Sequence, residues 1–348
     1  MPEPIDTIRM RLKPDEAQLV YEYRGSKVNH TALNKECEEQ GIPAENVNYY
    51  WFKSEKFSIN VKGSSLSVQE MMDEFLKSIK EYAPIYPSID YKKSSDGHLF
   101  VVDPADIHIG KLSSMIESGD EYNHDIAVKR VKEGVIGLIS KCNFKIDKIL
   151  FIVGNDILHV DNAKNSTTAG THQDTSAMWF DNFKTAQRLL TDCIEILIQI
   201  APVHVQYDPS NHDYTNGFFL AQTIEAWFRN CESVTFNVSI SHRKYFVYGA
   251  NIIGTTHGDG AKEADLPLLM AHEASKSWGD CKHRYFYIHH IHHKKSKDYM
   301  SVNVEALRSP SGTDSWHHRN GYQHSPKAVE GFVHHPVHGQ VARLTHIF

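Results

Sequence analysis

The amino-acid sequence predicts a layered α/β fold preceded by a small helical domain, on three observations. From residue 98 onward, short β-rich runs alternate with long helical patterns. A segment mixing proline, serine, glycine and charge, YAPIYPSIDYKKSSDG over residues 82–97, separates that alternation from a differently patterned N-terminal stretch. The 41% hydrophobic content of the 348 residues suffices for a large core, and no internal repeat or low-complexity tract interrupts the chain.

In residues 1–82, TALNKECEEQ and AENVNYYWFKS read as helices joined through Gly41 and Pro43, followed by the strand-like FSINVK. That is the length and punctuation of a helix-turn-helix with a wing. Two readings stay open. The second helix could dock on DNA through Tyr49, Tyr50, Trp51 and Lys53, or these aromatics could form the core of a small helical domain. The acidic Glu36, Glu38 and Glu39 on the first helix favour the latter. Residues 83–97 then form a linker and 98–348 the main domain. There HLFVVD, KILFIVG, VHVQY, NIIGTTH and YFYIHH read as strands, and IAVKRVKEGVIGLISKC and AMWFDNFKTAQRLLTDCIEILIQIA as helices.

Composition narrows the function classes. With 37 basic against 43 acidic residues, the net charge of -6 supplies no global attraction to nucleic acid. Polyanion binding must come from a local basic patch or from bound metal. Cys37, Cys142, Cys193, Cys231 and Cys281 are odd in number and lack a C-x-x-C pair, which fits neither a disulfide framework nor a thiolate zinc site. They read as reduced thiols of a cytoplasmic protein. The charged start MPEPIDTIRMRLKPDEAQ has no apolar signal region, and no stretch approaches the roughly 18 apolar residues of a membrane span, so no membrane partner is expected. The absence of G-x-x-x-x-G-K-[ST], a dinucleotide fingerprint or G-x-S-x-G argues against nucleotide-driven motors and serine hydrolases.

The chemistry is expected just beyond the strand ends, where open α/β sheets place their sites. Five polar clusters stand there. In VVDPADIHIG, Asp106 and His108 are two apart on an extended loop and can turn to one side. In FIVGNDILH, a glycine permits close backbone approach before Asp156, whose two oxygens can bridge two cations. In DPSNHDY, Asn211 offers a neutral oxygen and His212 a proton, while Asp213 can orient that imidazole or brace its loop. TTHGDG contributes His257, and YIHHIHHKK contributes His290 and His292, placed on one face if the strand continues. Each cluster alone also reads as a turn or a helix cap; five in succession do not. His159 and Asp161 stay unassigned between supporting and substrate-binding roles. Of the 23 histidines, the C-terminal His317, His318, His334 and His335 read as solvated loop, and the tail from Ser309 as structural.

Asp106-Ile-His108, Gly154-Asn155-Asp156, Asn211-His212-Asp213, His257-Gly258 and His290-Ile-His292 resemble, in this order, the five motifs of the calcineurin-like metallophosphoesterase family. The resemblance spans about residues 98–300. DILHVDN and the segment Thr167 to Asp174 are similar to the SbcD-type DNA exonuclease branch and its phage-encoded relatives. It implies a layered α/β sandwich of two mixed β-sheets flanked by helices. It also implies one metal held by Asp106, His108, Asp156 and His292, and a second by Asp156, Asn211, His257 and His290. Mixed nitrogen and oxygen ligation without sulfur suits Mn²⁺, Fe or Zn²⁺ better than Ca²⁺; the resemblance implies Mn²⁺ first, with Mg²⁺ compatible. Such a pair activates water for phosphodiester hydrolysis, with His212 as general acid and Asp213 beside it.

Two positions depart from the family pattern: Ser210 and His289 put side chains where the family has glycine. Residues 160–200 form a long insertion suited to shaping a substrate channel. DNA is the expected substrate, with the basic run His292 to Lys297 beside the site, and a homodimer is compatible. The alternatives are a phosphatase or phosphodiesterase acting on small nucleotides, or a DNA-binding or scaffold protein with a structural metal site.

Overall fold

The computed structural model describes residues 84–348 apart from 93, 323 and 324, and, within the first 83, four strands and Glu38. The chain forms two compact units, Met1–Tyr82 and Ala83–Phe348. In the first, strands β1 (Thr7–Leu12), β2 (Leu19–Arg24), β3 (Tyr49–Lys53) and β4 (Ser58–Lys62) make one sheet in the order β1-β2-β4-β3. β2 and β4 run parallel and the outer pairs antiparallel.

This overturns the second expected helix. Tyr49, Tyr50, Trp51 and Lys53 lie on a strand paired with β4. Consecutive aromatic side chains fit a pleated strand better than the crowded surface of a helix. A docking helix carrying those residues is therefore excluded. FSINVK is found as β4, whereas β1 lies in the segment read only as a charged terminus and β2 just beyond it. The first expected helix, residues 31–40, lies outside the described residues except for Glu38.

The second unit contains β5 (His98–Asp103), β6 (Ile146–Gly154), β7 (Val203–Asp208), β8 (Val234–Asn237), β9 (Lys244–Tyr248) and β10 (Asn251–Thr256). It continues with β11 (His283–Ile288), β12 (Lys295–Tyr299), β13 (Val302–Ala306), β14 (Ala328–His335) and β15 (Gly339–Ile347). One sheet has the order β15-β14-β5-β6-β7-β8, the other β12-β13-β11-β10-β9. Both are mixed: β5 through β8 are mutually parallel, as are β10, β11 and β13, while the remaining pairs are antiparallel.

The period-2 alternation of buried strands decides what each face meets. Leu99, Val101, Leu150 and Ile152 point between the sheets, against Ile253, Tyr287, Leu307 and Phe332. Phe100, Val102, Ile149 and Phe151 point outward onto helices α1 (His124–Lys141), α2 (Trp179–Leu197) and α3 (Tyr214–Trp227). α1 starts where the Asn123 side chain accepts from Ile126 N at 3.0 Å, and it buries Ala127, Val131, Val135 and Leu138 along one stripe. The outer face of the second sheet is covered by Leu266 and Met270 of α4 (Leu266–Glu273). The second unit is thus the layered α/β sandwich expected, two mixed sheets flanked by helices.

Two expectations about segments change. The supposed linker packs on its own unit: Tyr86 donates to Glu195 at 2.7 Å and accepts from Trp227 Nε1 at 3.0 Å, and Tyr91 donates to the Ile198 carbonyl at 2.6 Å. The latter part of the 160–200 insertion is α2, whose Ala186, Leu189, Leu190, Cys193, Ile194 and Leu197 belong to the core, so only the loop before it can border a site. No helix of the described residues is long and apolar enough to cross a membrane.

Candidate metal centre

The five polar clusters follow β5, β6, β7, β10 and β11, and backbone hydrogen bonds join their loops. Asp106 N donates to Asn155 O and His108 N to Asp156 O, both at 2.8 Å, while Asn155 N donates to Asp208 O at 3.0 Å and His289 N to His257 O at 2.9 Å. Gly154 has φ +94°, and a Cβ there would lie 2.0 Å from the Asp208 carbonyl oxygen, so this approach needs glycine. A side chain completes the circle between the sheets: His290 N donates to Asp106 Oδ2 at 3.1 Å.

Asp106, His108, Asn155, Asp156, His290 and His292 all occupy the left-handed region, at φ between +51° and +71°. Non-glycine residues adopt it at a cost and persist there only where the surroundings impose it. β11 ends at Ile288, so His290 and His292 are on a loop and do not share a strand face as expected. Their left-handed backbones send them to different places.

Asp106, His108 and His292 form one group, and Asp156, His257 and His290 another. In the first, His108 Nε2 lies 3.2 Å from His292 Nε2, and His292 Nε2 lies 3.6 Å from Asp106 Oδ1. In the second, His257 Nε2 lies 2.9 Å from Asn211 Oδ1, 3.2 Å from His290 Nδ1 and 3.3 Å from Asp156 Oδ2. The same Asp156 Oδ2 is 3.9 Å from His108 Nε2, so this one oxygen faces both groups. One imidazole nitrogen can donate only one hydrogen, yet three acceptor atoms surround His257 Nε2. Lone pairs converging on a point suit a cation.

Electrostatics agree with that fit. Burial, aided by neighbouring His212, holds His108 well below the usual imidazole range, and burial with Lys111 does the same to His292. Both rings therefore present lone pairs. Burial pushes the Asp106 carboxyl up to about 7 against the pull of His257 and His289, a cost that a bound cation would relieve. Burial opposes charge on Asp156 and His257 too, but their mutual attraction prevails, lowering Asp156 and raising His257. A cation bound there would take the place of the His257 proton. The donor set fits two divalent ions: Asp106, His108, His292 and Asp156 would hold one, and Asp156, Asn211, His257 and His290 the other.

His212 is beside both groups. Its backbone N–H donates to Asp156 Oδ1 at 2.9 Å, and its ring Nδ1 donates to the His159 carbonyl at 2.9 Å, which leaves Nε2 as the free end. Asp213 does not orient this imidazole; it braces the loop, accepting from Leu158 N at 2.8 Å and Ser210 Oγ at 2.7 Å. The departures from glycine are used. Ser210 Oγ also accepts from Asp156 N at 2.7 Å, and the His289 ring donates to Asp103 Oδ2 at 3.0 Å and to the Thr256 carbonyl at 3.2 Å. Both nitrogens of His289 face acceptors, which favours the charged ring; burial opposes that charge, but Asp103 outweighs it and raises the group.

His159 Nδ1 lies 3.3 Å from His108 Nδ1 and supports that ring. Asp161 accepts from Thr215 N at 3.0 Å and Asn216 N at 2.7 Å, capping α3 from a distant loop, a role no local spacing announces.

The tail, read as structural, also reaches the centre. Ser309 Oγ donates to the Asp106 carbonyl at 2.6 Å, and the His317 ring stacks on His292 with centroids 5.0 Å apart. Asp314 accepts from His317 Nδ1 at 2.7 Å and pairs with buried Lys111 at 2.8 Å. Asp314 as N-cap ahead of SWHHR was the available signal. His334 is buried on β14, not solvated. The expected basic run lies on exposed edge strand β12 and just before it, where Lys295 pairs with Glu263 at 2.7 Å. Of the two further groups, His108, His159 and His212 adjoin the centre, and Asp96, His98 and His335 are no ligand set. His335 Nδ1 accepts from Val337 N and His338 N, so its Nε2 carries the hydrogen.

No protein-family model matches the chain, and no curated protein matches it in sequence. Among solved structures, Vps29 of Entamoeba histolytica complexed with Zn²⁺ is 10% identical, with a TM-score of 0.30, covering 71% of this chain and 98% of that one. A novel archaeal phosphodiesterase is 9% identical, with a TM-score of 0.32 and coverage of 72% and 99%. A predicted phosphoesterase of Streptococcus pneumoniae is 11% identical, with a TM-score of 0.28 and coverage of 72% and 98%. At these identities and scores the likenesses carry no argument for chemistry, which rests on the converging side chains.

Proposed function

We propose that the protein is a two-metal phosphodiester hydrolase acting on DNA. The observation that carries this reading is that Asp156 Oδ2 faces both Asp106–His108–His292 and Asn211–His257–His290. These residues would hold two divalent ions, Mn²⁺ first among them, whose chemistry when bound would be to neutralise phosphoryl oxygens and acidify the attacking water. The chain's own groups do the rest. The His159 carbonyl fixes the ring of His212 so that Nε2 can deliver a proton to the departing alkoxide. Ser210 and Asp213 hold that loop in place. Lys294 and Lys297, exposed on and beside edge strand β12, favour a polynucleotide whose backbone continues past the site.

A second reading, a phosphatase or phosphodiesterase acting on small nucleotides, is favoured by a cleft of about 430 Å³ lined by His242, Arg243, Thr256 and Asp259, next to His257. The test gives the Mn²⁺-loaded protein labelled single- and double-stranded DNA, bis-p-nitrophenyl phosphate and mononucleotides. DNA degradation abolished by a chelator supports the first reading, and hydrolysis of mononucleotides alone supports the second. Binding without turnover would overturn both in favour of a scaffold.

A further inference from the structure

Four aromatic rings run in succession from the metal centre to solvent. His292 stacks on His317 with centroids 5.0 Å apart, His317 meets Trp316 edge-on at 5.1 Å, and Trp316 stacks on Tyr322 at 5.8 Å and 28°. The outer two are exposed, Trp316 at 61% and Tyr322 at 60%.

Local sequence builds this arrangement. Asp314 caps the short helix Ser315–Arg319, accepting from His317 N at 2.8 Å. Gly321, at φ +77°, ends it in a left-handed turn in which Gly321 N donates to His318 O and Tyr322 N to His317 O. This paired closure folds the chain back and lays Tyr322 on Trp316. A helix end requires only a small apolar contact there, whereas this one exposes two large rings. The base is rigid: Lys111, which pairs with Asp314, follows closely on His108, to whose carbonyl its own N–H donates at 3.0 Å. The helix carries His318 and Arg319 and no acidic residue.

We propose that Trp316 and Tyr322 form a stacking platform for an unpaired base of a polynucleotide whose neighbouring phosphate lies at the metal centre. The inference rests on the phosphodiesterase reading and deepens it by naming single-stranded nucleic acid, or a frayed end, as the substrate class. Every base offers a π-face to an aromatic ring, but a duplex hides those faces, so a platform selects unpaired strands. Continuity of the rings with His292 and the adjoining guanidinium of Arg319 favour this occupant over a protein partner. Exposed Met115 and Ile116 on the neighbouring helix make a second copy of the chain the competing outcome.

The test uses the full chain as wild type, Trp316→Ala, Trp316→Phe and Tyr322→Ala. With Mn²⁺, kcat/KM is measured on a single-stranded oligonucleotide and on bis-p-nitrophenyl phosphate. The ratio of the two should fall about tenfold in Trp316→Ala, the worth of one base stack, and recover in Trp316→Phe. In a chelator, the oligonucleotide should quench tryptophan fluorescence in wild type and not in Trp316→Phe, a readout independent of turnover. An unchanged ratio with quenching retained in Trp316→Phe overturns the platform even if DNA is cleaved. Loss of self-association in Trp316→Ala without loss of quenching assigns the face to a second copy instead. If wild type hydrolyses neither substrate, the proposed function fails and quenching still decides the platform.

Discussion

The Ser210 hydroxyl accepts a hydrogen bond from the backbone N–H of Asp156 at 2.7 Å, tying the loop after β7 to the residue that faces both halves of the metal centre. It donates in turn to Asp213, so one small side chain satisfies two buried groups. Ser210→Ala should leave the Asp156 N–H unpaired, costing about 1–3 kcal/mol in stability. Metal affinity should fall about tenfold or more, as for other residues that position ligands. Urea unfolding and Mn²⁺ titration check both; an unchanged midpoint and affinity would remove Ser210 from the account.

His212 offers a cleaner separation of roles. Its ring meets that of His108 edge-on with centroids 4.6 Å apart, and its anchored Nδ1 aims Nε2 away from the His159 carbonyl. His212→Asn should retain the metal complement of wild type, measured by elemental analysis, while kcat falls by about 10² to 10⁴. If the variant loses metal and keeps its turnover per bound ion, His212 is a ligand and the assignment fails.

The buried pair His289 and Asp103 calls for a double-mutant cycle. Both side chains are fully buried, and removing one partner strands the other's charge. His289→Ala and Asp103→Ala should each destabilise by about 3–5 kcal/mol, and the double variant should cost clearly less than their sum. Strict additivity would mean that the two do not interact as the 3.0 Å contact states.

What was legible in the sequence follows from range. Asp106, His108, Asp156, Asn211, His212, His257, His290 and His292 each sit a few residues beyond an apolar strand, and strand ends gather in space whatever the connections between them. The aromatic run at Tyr49 misled because helical spacing was read where side-chain bulk decided for strand β3. Asp161 and the tail were hidden for a different reason. Asp161 caps a helix more than 50 residues away, and His317 stacks on His292 across 25 residues, and no local pattern encodes a partner at that distance. Ser210 and His289 were seen as departures, but the hydrogen bonds that use them require coordinates.

Acid sensitivity should be traceable to His334. The ring is buried on β14 beside Tyr287, whose hydroxyl lies 2.8 Å from Nε2, while Nδ1 has no partner. Burial, with a smaller contribution from the charge of His283, pushes the group down to about 3 from its ordinary 6.5. Between those values the unfolded chain binds a proton that the folded chain refuses. The contribution to stability is thus complete above pH 6.5 and is lost as pH falls through the window, at about 1.4 kcal/mol per unit. Tyr287 donates its one hydrogen to Gln340 Oε1 at 3.2 Å, so His334 Nε2–H donates to the Tyr287 oxygen, a role the side-chain amide of His334→Gln can take while removing the titration. Unfolding free energies from urea at pH 7 and pH 5 should then show wild type losing about 2 kcal/mol more than the variant. Equal losses would mean that His334 protonates in the folded protein, and that water or a neighbouring acceptor reaches Nδ1 when it does.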